Sequence, residues 1–144
     1  MNVLNWCEFA PGLYSAGQPT PNQWSEIRDA GVVAVLNLRP DDEQPGIDEA
    51  QCVEQAGLRY QQLPVANGEA LDQTCVDAFA GYLAEHHPQG GVLVHCGSGN
   101  RVGALVALLA RRHWGATIPE AIAAGRRAGL TGLEPKVAAL LKSV

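Results

Sequence analysis

Positive charge is in short supply in this chain. Its 144 residues carry ten Lys and Arg against fifteen Asp and Glu, a formal net charge of −5. That balance offers no basic stripe for a nucleic acid or an anionic membrane. An anionic ligand would need a local electropositive pocket, because the field of the whole protein repels it. No apolar run approaches the roughly 20 residues of a membrane-spanning helix. The opening MNVLNWCEFAPG has neither the basic stretch nor the apolar block of a secretory signal, which points to the cytoplasm. Cysteine is sparse too. Cys7, Cys52, Cys75 and Cys96 form no CxxC pair, so neither a zinc site nor a disulfide framework is expected, and a reducing compartment suits them. His86, His87 and His113 lack the second ligand motif of a metal site, and no cofactor is implied.

What remains is an ordinary globular balance, 47% apolar and 17% charged, in a length that fits one domain over residues 1–144. Strand and helix signals alternate. GLYSAGQP reads as a short strand and turn, and Thr20, Pro21 and Gln23 form a capping box that opens a helix ending at Gly31. VVAVLNL is a nearly continuous apolar run, the mark of a strand covered on both faces. RPDDEQPG is a polar loop, IDEAQCVEQAG a helix ending at Gly57, and LRYQQLPV the next strand. A further helix runs through about His87, GGVLVHC is the third strong strand, and a long helix spans about Arg101 to Trp114. Thr117 with Glu120 caps another helix, and a last one lies near 134–142. Cys52 and Cys75 fall in helical segments and read as small buried hydrophobes. The expected fold is α/β, a mostly parallel central sheet with helices on both faces. Ligands in such sheets bind beyond the carboxyl ends of the strands.

The third strand ends at such a place, in HCGSGNR. A loop closing onto a helix N-terminus turns several backbone N–H groups into one concavity, and the helix dipole adds positive charge. Gly97 and Gly99 let the main chain approach an anion closely, and Arg101 presents a planar fork of donors to two oxygens. The same field favours the thiolate of Cys96, the reactive form of the sulfur. His95, next to it, can orient the nearby backbone. The result is an anion cradle of His95, Gly97, Ser98, Gly99 and Asn100 with a sulfur nucleophile at its floor.

HCGSGNR resembles the signature loop of cysteine-dependent phosphatases of the dual-specificity and tyrosine type. With GLYSAGQPTPNQW, VVAVLNLRPDDE, AGLRYQQLPV and GGVLVHCGSGNRVGAL, the chain is similar to the bacterial beta-lactamase-hydrolase-like phosphatases over about residues 10–115. The resemblance implies their dual-specificity-like fold, Cys96 as nucleophile, Arg101 as oxyanion clamp, a phosphocysteine intermediate and no metal. Three departures stand out. Four residues separate Cys96 from Arg101 where that pattern has five. Val102 stands where the pattern has a Ser or Thr that helps the thiolate leave. Asn67 falls near the place of the general acid, so Glu69, or Asp72, would take that role. Asp72 also reads as the N-cap of the next helix.

The shorter spacing resembles that of rhodanese-type sulfurtransferases, so sulfur transfer through a Cys96 persulfide is an alternative. A weakly catalytic module that binds phosphate or another oxyanion is a second. The leading expectation is a cysteine-dependent hydrolase of a phosphorylated protein or a small phosphoester. Arg39, Asp41, Asp42 and Glu43 read as a solvated turn, and the Gln18-Pro19 turn as structural. Oligomeric state is left open.

Overall fold

The structure, a computed structural model, describes residues 1–44, 46 and 48–143. Five strands form one sheet: β1 (Cys7–Ala10), β2 (Leu13–Ala16), β3 (Val32–Asn37), β4 (Arg59–Gln62) and β5 (Gly91–His95), in the order β1-β2-β5-β3-β4. All neighbours pair in parallel except β1, which joins the edge antiparallel to β2. Six α-helices lie among the described residues: α1 (Trp24–Asp29), α2 (Glu49–Gln55), α3 (Gln73–His86), α4 (Asn100–His113), α5 (Ile118–Arg127) and α6 (Glu134–Leu141). The expected mostly parallel sheet is therefore present, and β1 is an addition to it. The anticipated helix start at Ile47 and the loop residue Pro45 lie outside the described residues.

Both faces of the sheet are covered. Ala34, Leu36, Val92 and Val94 face α3 to α6, whereas Val35 and Leu93 face Trp24 and Ile27 of α1 and Val53 of α2. This is why the sequences of β3 and β5 do not alternate: both neighbouring side chains of a strand are buried in turn. Phe79 and Ile27 are fully buried, one on each side. Truncating Phe79 to Ala would cost about 3–5 kcal/mol. Cys75 is buried, and burial pushes its thiol up to about 11, so it behaves as the small hydrophobe expected.

Parallel pairing puts the carboxyl ends of four strands on one rim. Ala16 pairs with His95, His95 with Asn37, and Asn37 with Gln62. The loops leaving these four positions carry Gln18, Arg39 to Glu43, Val65 and Cys96. Helix α4 is locked in place by α5, because Gly103 and Gly125 let the two backbones meet. A Cβ on Gly103 would lie 2.1 Å from the amide nitrogen of Leu130. The helix that begins the cradle is thus fixed along its first turn.

Candidate active site

Cys96 is fully buried at the end of β5, with Gly99 N donating to its sulfur at 3.0 Å. The loop after it is shaped by what holds its carbonyls. Gly97 O accepts from Gln18 N at 3.1 Å, and Gly99 O from Gly103 N at 2.9 Å. Ser98 O accepts from Asn5 Nδ2 at 2.8 Å. In a trans peptide the carbonyl and the following N–H point opposite ways. Each carbonyl drawn outward therefore turns the next amide inward. The amide of Gly99 meets the sulfur, and those of Gly97, Ser98, Asn100 and Arg101 have no acceptor among the described residues. Gly99 makes the turn at φ +102°, a left-handed conformation costly for any residue with a Cβ. Gly17 permits the close approach on the other side, since a Cβ there would lie 2.7 Å from Gly97 O.

Arg101 is tied on one edge. Its Nη1 and Nη2 donate to the two carboxylate oxygens of Glu43 at 2.7 and 2.8 Å, and Nη1 also donates to Val65 O at 2.9 Å. Its Nε has no oxygen acceptor among the described residues, and the guanidinium also lies within hydrogen-bond reach of the Cys96 sulfur. The guanidinium is held more firmly protonated than usual, first by the Glu43 hydrogen bonds and then by the charge of the Cys96 sulfur, against the effect of burial. The same bonds from Arg101 lower the Glu43 carboxyl below the usual carboxylate range. Glu43 is thus a brace and not a solvated turn residue, and the sequence offered only a charged triplet by which to find it.

The structure gives the other predicted positions different surroundings. The His95 ring is fully buried: its Nε2 lies 2.6 Å from Glu49 Oε2, and Trp24 packs on it at 5.9 Å between centroids. The ring is therefore closed off from solvent and taken up by Glu49 and Trp24. Asn100 contributes an amide, but its side-chain oxygen accepts from Thr131 N at 2.9 Å and Leu133 N at 3.3 Å. Ser98 is exposed at the rim. Asp72 caps α3, accepting from Cys75 N at 2.8 Å. Glu69 stands on the turn Gly68–Ala70, exposed, with Lys136 Nζ 3.2 Å from its carboxylate. The cavity it lines is walled by Leu71, Val76, Leu108 and Leu140, and neither Cys96 nor Arg101 reaches it.

A buried cysteine beside the turned amides of Ser98, Gly99 and Asn100, with an arginine braced by Glu43, is a geometry suited to holding an oxyanion next to a sulfur. The family profile of the polymorphic toxin system DSP-PTPase phosphatases, Tc-R-P, matches residues 11–114. The chain belongs to this family. This DSP-PTPase domain is 38% identical over 100 residues to a beta-lactamase hydrolase-like protein of Xylella fastidiosa, a match that covers 67% of the chain and 22% of that protein. The domain thus spans about a fifth of the length of the curated relatives it matches. A putative phosphatase (DUF442) from Shewanella putrefaciens superposes with a TM-score of 0.78 at 29% identity, covering 99% of this chain and 91% of that one. TpbA of Pseudomonas aeruginosa, solved with phosphotyrosine, shares the fold at a TM-score of 0.78 and 20% identity, over 98% of this chain and 85% of that one. The DSP-PTPase domain is a cysteine-dependent phosphatase domain, and neither sulfur transfer nor mere oxyanion binding is favoured. No helix among its described residues is long and apolar enough to cross a membrane.

Proposed function

We propose that this domain hydrolyses phosphomonoesters by way of a phosphocysteine at Cys96. The amides of Gly97, Ser98, Asn100 and Arg101 and the Nε edge of Arg101 hold the phosphoryl oxygens. The Cys96 thiolate attacks phosphorus, an S–P bond forms, and the ester P–O bond breaks. Glu69, released from Lys136 and in its carboxylic acid form, donates the proton that the departing oxygen takes up. Water then attacks phosphorus while the Glu69 carboxylate takes its proton, the S–P bond breaks, and inorganic phosphate leaves with the thiolate and the acid restored. The observation that carries this reading is the set of amides at Ser98, Gly99 and Asn100, turned by the bonds to the preceding carbonyls, beside a fully buried sulfur. Such a cradle stabilises charge developing on the transferring group without reorganising. Glu69 is supported by its place four residues beyond Val65, whose carbonyl is tied to Arg101.

The substrate is a phosphorylated protein or small molecule, a reading supported by the phosphotyrosine seated in TpbA. Four free thiols are in keeping with a reducing, cytoplasmic setting. The test is a paired assay of wild type and Cys96→Ser, with p-nitrophenyl phosphate and with thiosulfate plus cyanide. Phosphate release that needs Cys96, blocked by vanadate, is expected. Thiocyanate formation without phosphate release would overturn the proposal.

A further inference from the structure

The Gln18-Pro19 turn holds more than the backbone. The carboxylate of Glu49, buried at the first turn of α2, accepts from His95 Nε2 at 2.6 Å and from Gln18 Nε2 at 2.7 Å. Gln18 Oε1 in turn accepts from Arg39 Nη1 at 2.6 Å. Arg39 reaches on to Glu43, donating through Nε at 3.4 Å and through Nη2 to the Glu43 carbonyl. Glu43 holds both terminal nitrogens of Arg101. An unbroken path of side-chain bonds therefore runs His95, Glu49, Gln18, Arg39, Glu43, Arg101. It leaves the residue before the nucleophile and returns to the arginine of the cradle.

The chemistry at each link fixes its direction. Arg39 can only donate, and an ionised Glu49 can only accept. Between them the side chain at position 18 must accept at one end and donate at the other, which an amide does and a carboxylate or a hydrocarbon does not. Gln18 also supplies the backbone N–H that holds Gly97 O. We infer that Gln18 and Glu49 are positioning residues of the phosphatase reaction, fixing through one hydrogen-bonded chain both the cradle beside Cys96 and the guanidinium of Arg101. The side chains of both are bonded to protein groups. Their effect is exerted through His95 at one end and through Arg39 and Glu43 at the other, and a network of this kind stands or falls as a unit.

The chain permits a test by exchange. Gln18→Glu sets two carboxylates against each other, and Glu49→Gln removes the negative charge that faces His95, so that the ring keeps this bond only by changing tautomer. In the double variant Gln18→Glu/Glu49→Gln, the carboxylate at position 18 accepts from Arg39 and from the new amide at 49. That amide accepts in turn from His95. Every link of the path is then remade at unchanged net charge, and only the bond from Gln18 Nε2 to Pro19 O at 3.1 Å is given up. Arg39→Met cuts the chain on its more accessible side and leaves Glu49 paired with His95, so it tests the link where a buried variant fails to fold. The inference rests on the phosphatase reading, and the two fail separately. Turnover that depends on Cys96 in the wild type tests the reading. Vanadate affinity, measured calorimetrically without turnover, tests the chain. Each single variant and Arg39→Met are expected to lose about tenfold or more in vanadate affinity, and in kcat/KM alike, the loss of a hydrogen bond to a charged group. The double variant is expected to recover to within about threefold of wild type. Single variants and Arg39→Met all within twofold of wild type would overturn the inference. So would a double variant that regains the wild-type melting temperature while its vanadate affinity stays at the level of the single variants, since the chain would then serve the fold alone.

Discussion

Arg101 and Glu43 face each other fork to fork, with both terminal nitrogens of the guanidinium on both oxygens of the carboxylate at 2.7 and 2.8 Å. A bidentate pair of this kind fixes the plane of the arginine as well as its position. It commits one edge of the guanidinium to the protein. Glu43→Gln keeps the shape but turns one acceptor into a donor that opposes a guanidinium N–H. We expect kcat/KM to fall about 10- to 100-fold, the equivalent of roughly 1.4–3 kcal/mol of lost transition-state stabilisation. Arg101→Lys should cost at least as much, because an ammonium cannot hold the carboxylate and an oxyanion in one plane. Steady-state kinetics on p-nitrophenyl phosphate measure both. An unchanged kcat/KM in either variant would contradict the assigned geometry.

The same pair has a signature in acid. Arg101 holds the Glu43 carboxyl below the usual carboxylate range in the folded protein. A depressed folded value means that the unfolded chain binds the proton more readily. The stabilising contribution is therefore complete above the ordinary carboxylate value of about 4.3 and declines as pH falls from there through the folded value. Urea unfolding of wild type and Glu43→Gln between pH 3 and 7 should give a stability difference that is flat above about pH 5 and narrows below about pH 4. A difference that grew towards acid would have the wrong sign.

Gly99 tests the cradle without touching its charges. Its φ of +102° belongs to the left-handed region, and a Cβ built there meets no atom closer than 3.9 Å. The cost of Gly99→Ala is therefore backbone strain and not a clash, about 1–2 kcal/mol in stability. Relief of that strain would swing the Gly99 amide off the Cys96 sulfur. A drop of roughly 4–8 °C in melting temperature per lost kcal/mol would hold for a small domain, somewhat less at this size. The expected result is that modest drop together with a disproportionate loss of kcat/KM. Loss of stability with full activity per folded molecule would mean that the amide contact to sulfur does not matter.

Much of this site was legible in the sequence because its signals are local. The apolar runs of β3 and β5 are each contiguous, and β5, the glycines at 97 and 99 and helix α4 follow one another in the chain. What was not legible depends on partners far away. Glu49 reads as an ordinary charge in the first turn of a helix, and only His95, 46 residues on, explains its burial. Glu43 lies in DDE, a triplet that fits a solvated turn equally well, and its arginine is 58 residues away. β1 is four residues long, lies at the sheet edge and carries no apolar run, so nothing in CEFA announced a strand. The helix caps at Thr117 and Asp72 were readable because each closes on a residue three positions later.

Glu69 is the member of the proposed mechanism whose resting position departs most from its role. It is exposed and bonded to Lys136, with Gly68 packed against the Lys136 stem. General acid catalysis is worth about 10²–10⁴-fold where the leaving group needs a proton, and far less where it does not. Glu69→Gln should therefore lose about 100-fold on an alkyl phosphate yet less than about threefold on an activated aryl phosphate. The slope of log kcat/KM against leaving-group pKa would steepen accordingly. Parallel losses on both substrates would remove Glu69 from the chemistry and leave water as the proton source.

Asn5 lies outside the segment matched by the family profile, yet its amide nitrogen holds Ser98 O at 2.8 Å. It is also the one non-glycine residue with positive φ among those described, at +54°. The segment around it is anchored on both sides. Val3 is buried, Leu4 O accepts from Gly17 N at 2.8 Å, and Trp6 stacks on Tyr14 at 4.8 Å between centroids. Asn tolerates the left-handed region better than most residues, and Gly tolerates it without cost. Asn5→Gly therefore keeps the turn and deletes only the bond to the loop. With Ser98 O no longer drawn outward, the Gly99 amide loses its fixed direction towards the sulfur. A neutral hydrogen bond contributes about 1 kcal/mol, so vanadate affinity and kcat/KM should fall about fivefold while the melting temperature moves by a few degrees at most. Asn5→Asp, which places a carboxylate against a carbonyl and adds negative charge beside the cradle, should be worse than Asn5→Gly by more than twofold. If both variants bound vanadate as wild type does, the N-terminal segment would be packing against the cradle without shaping it.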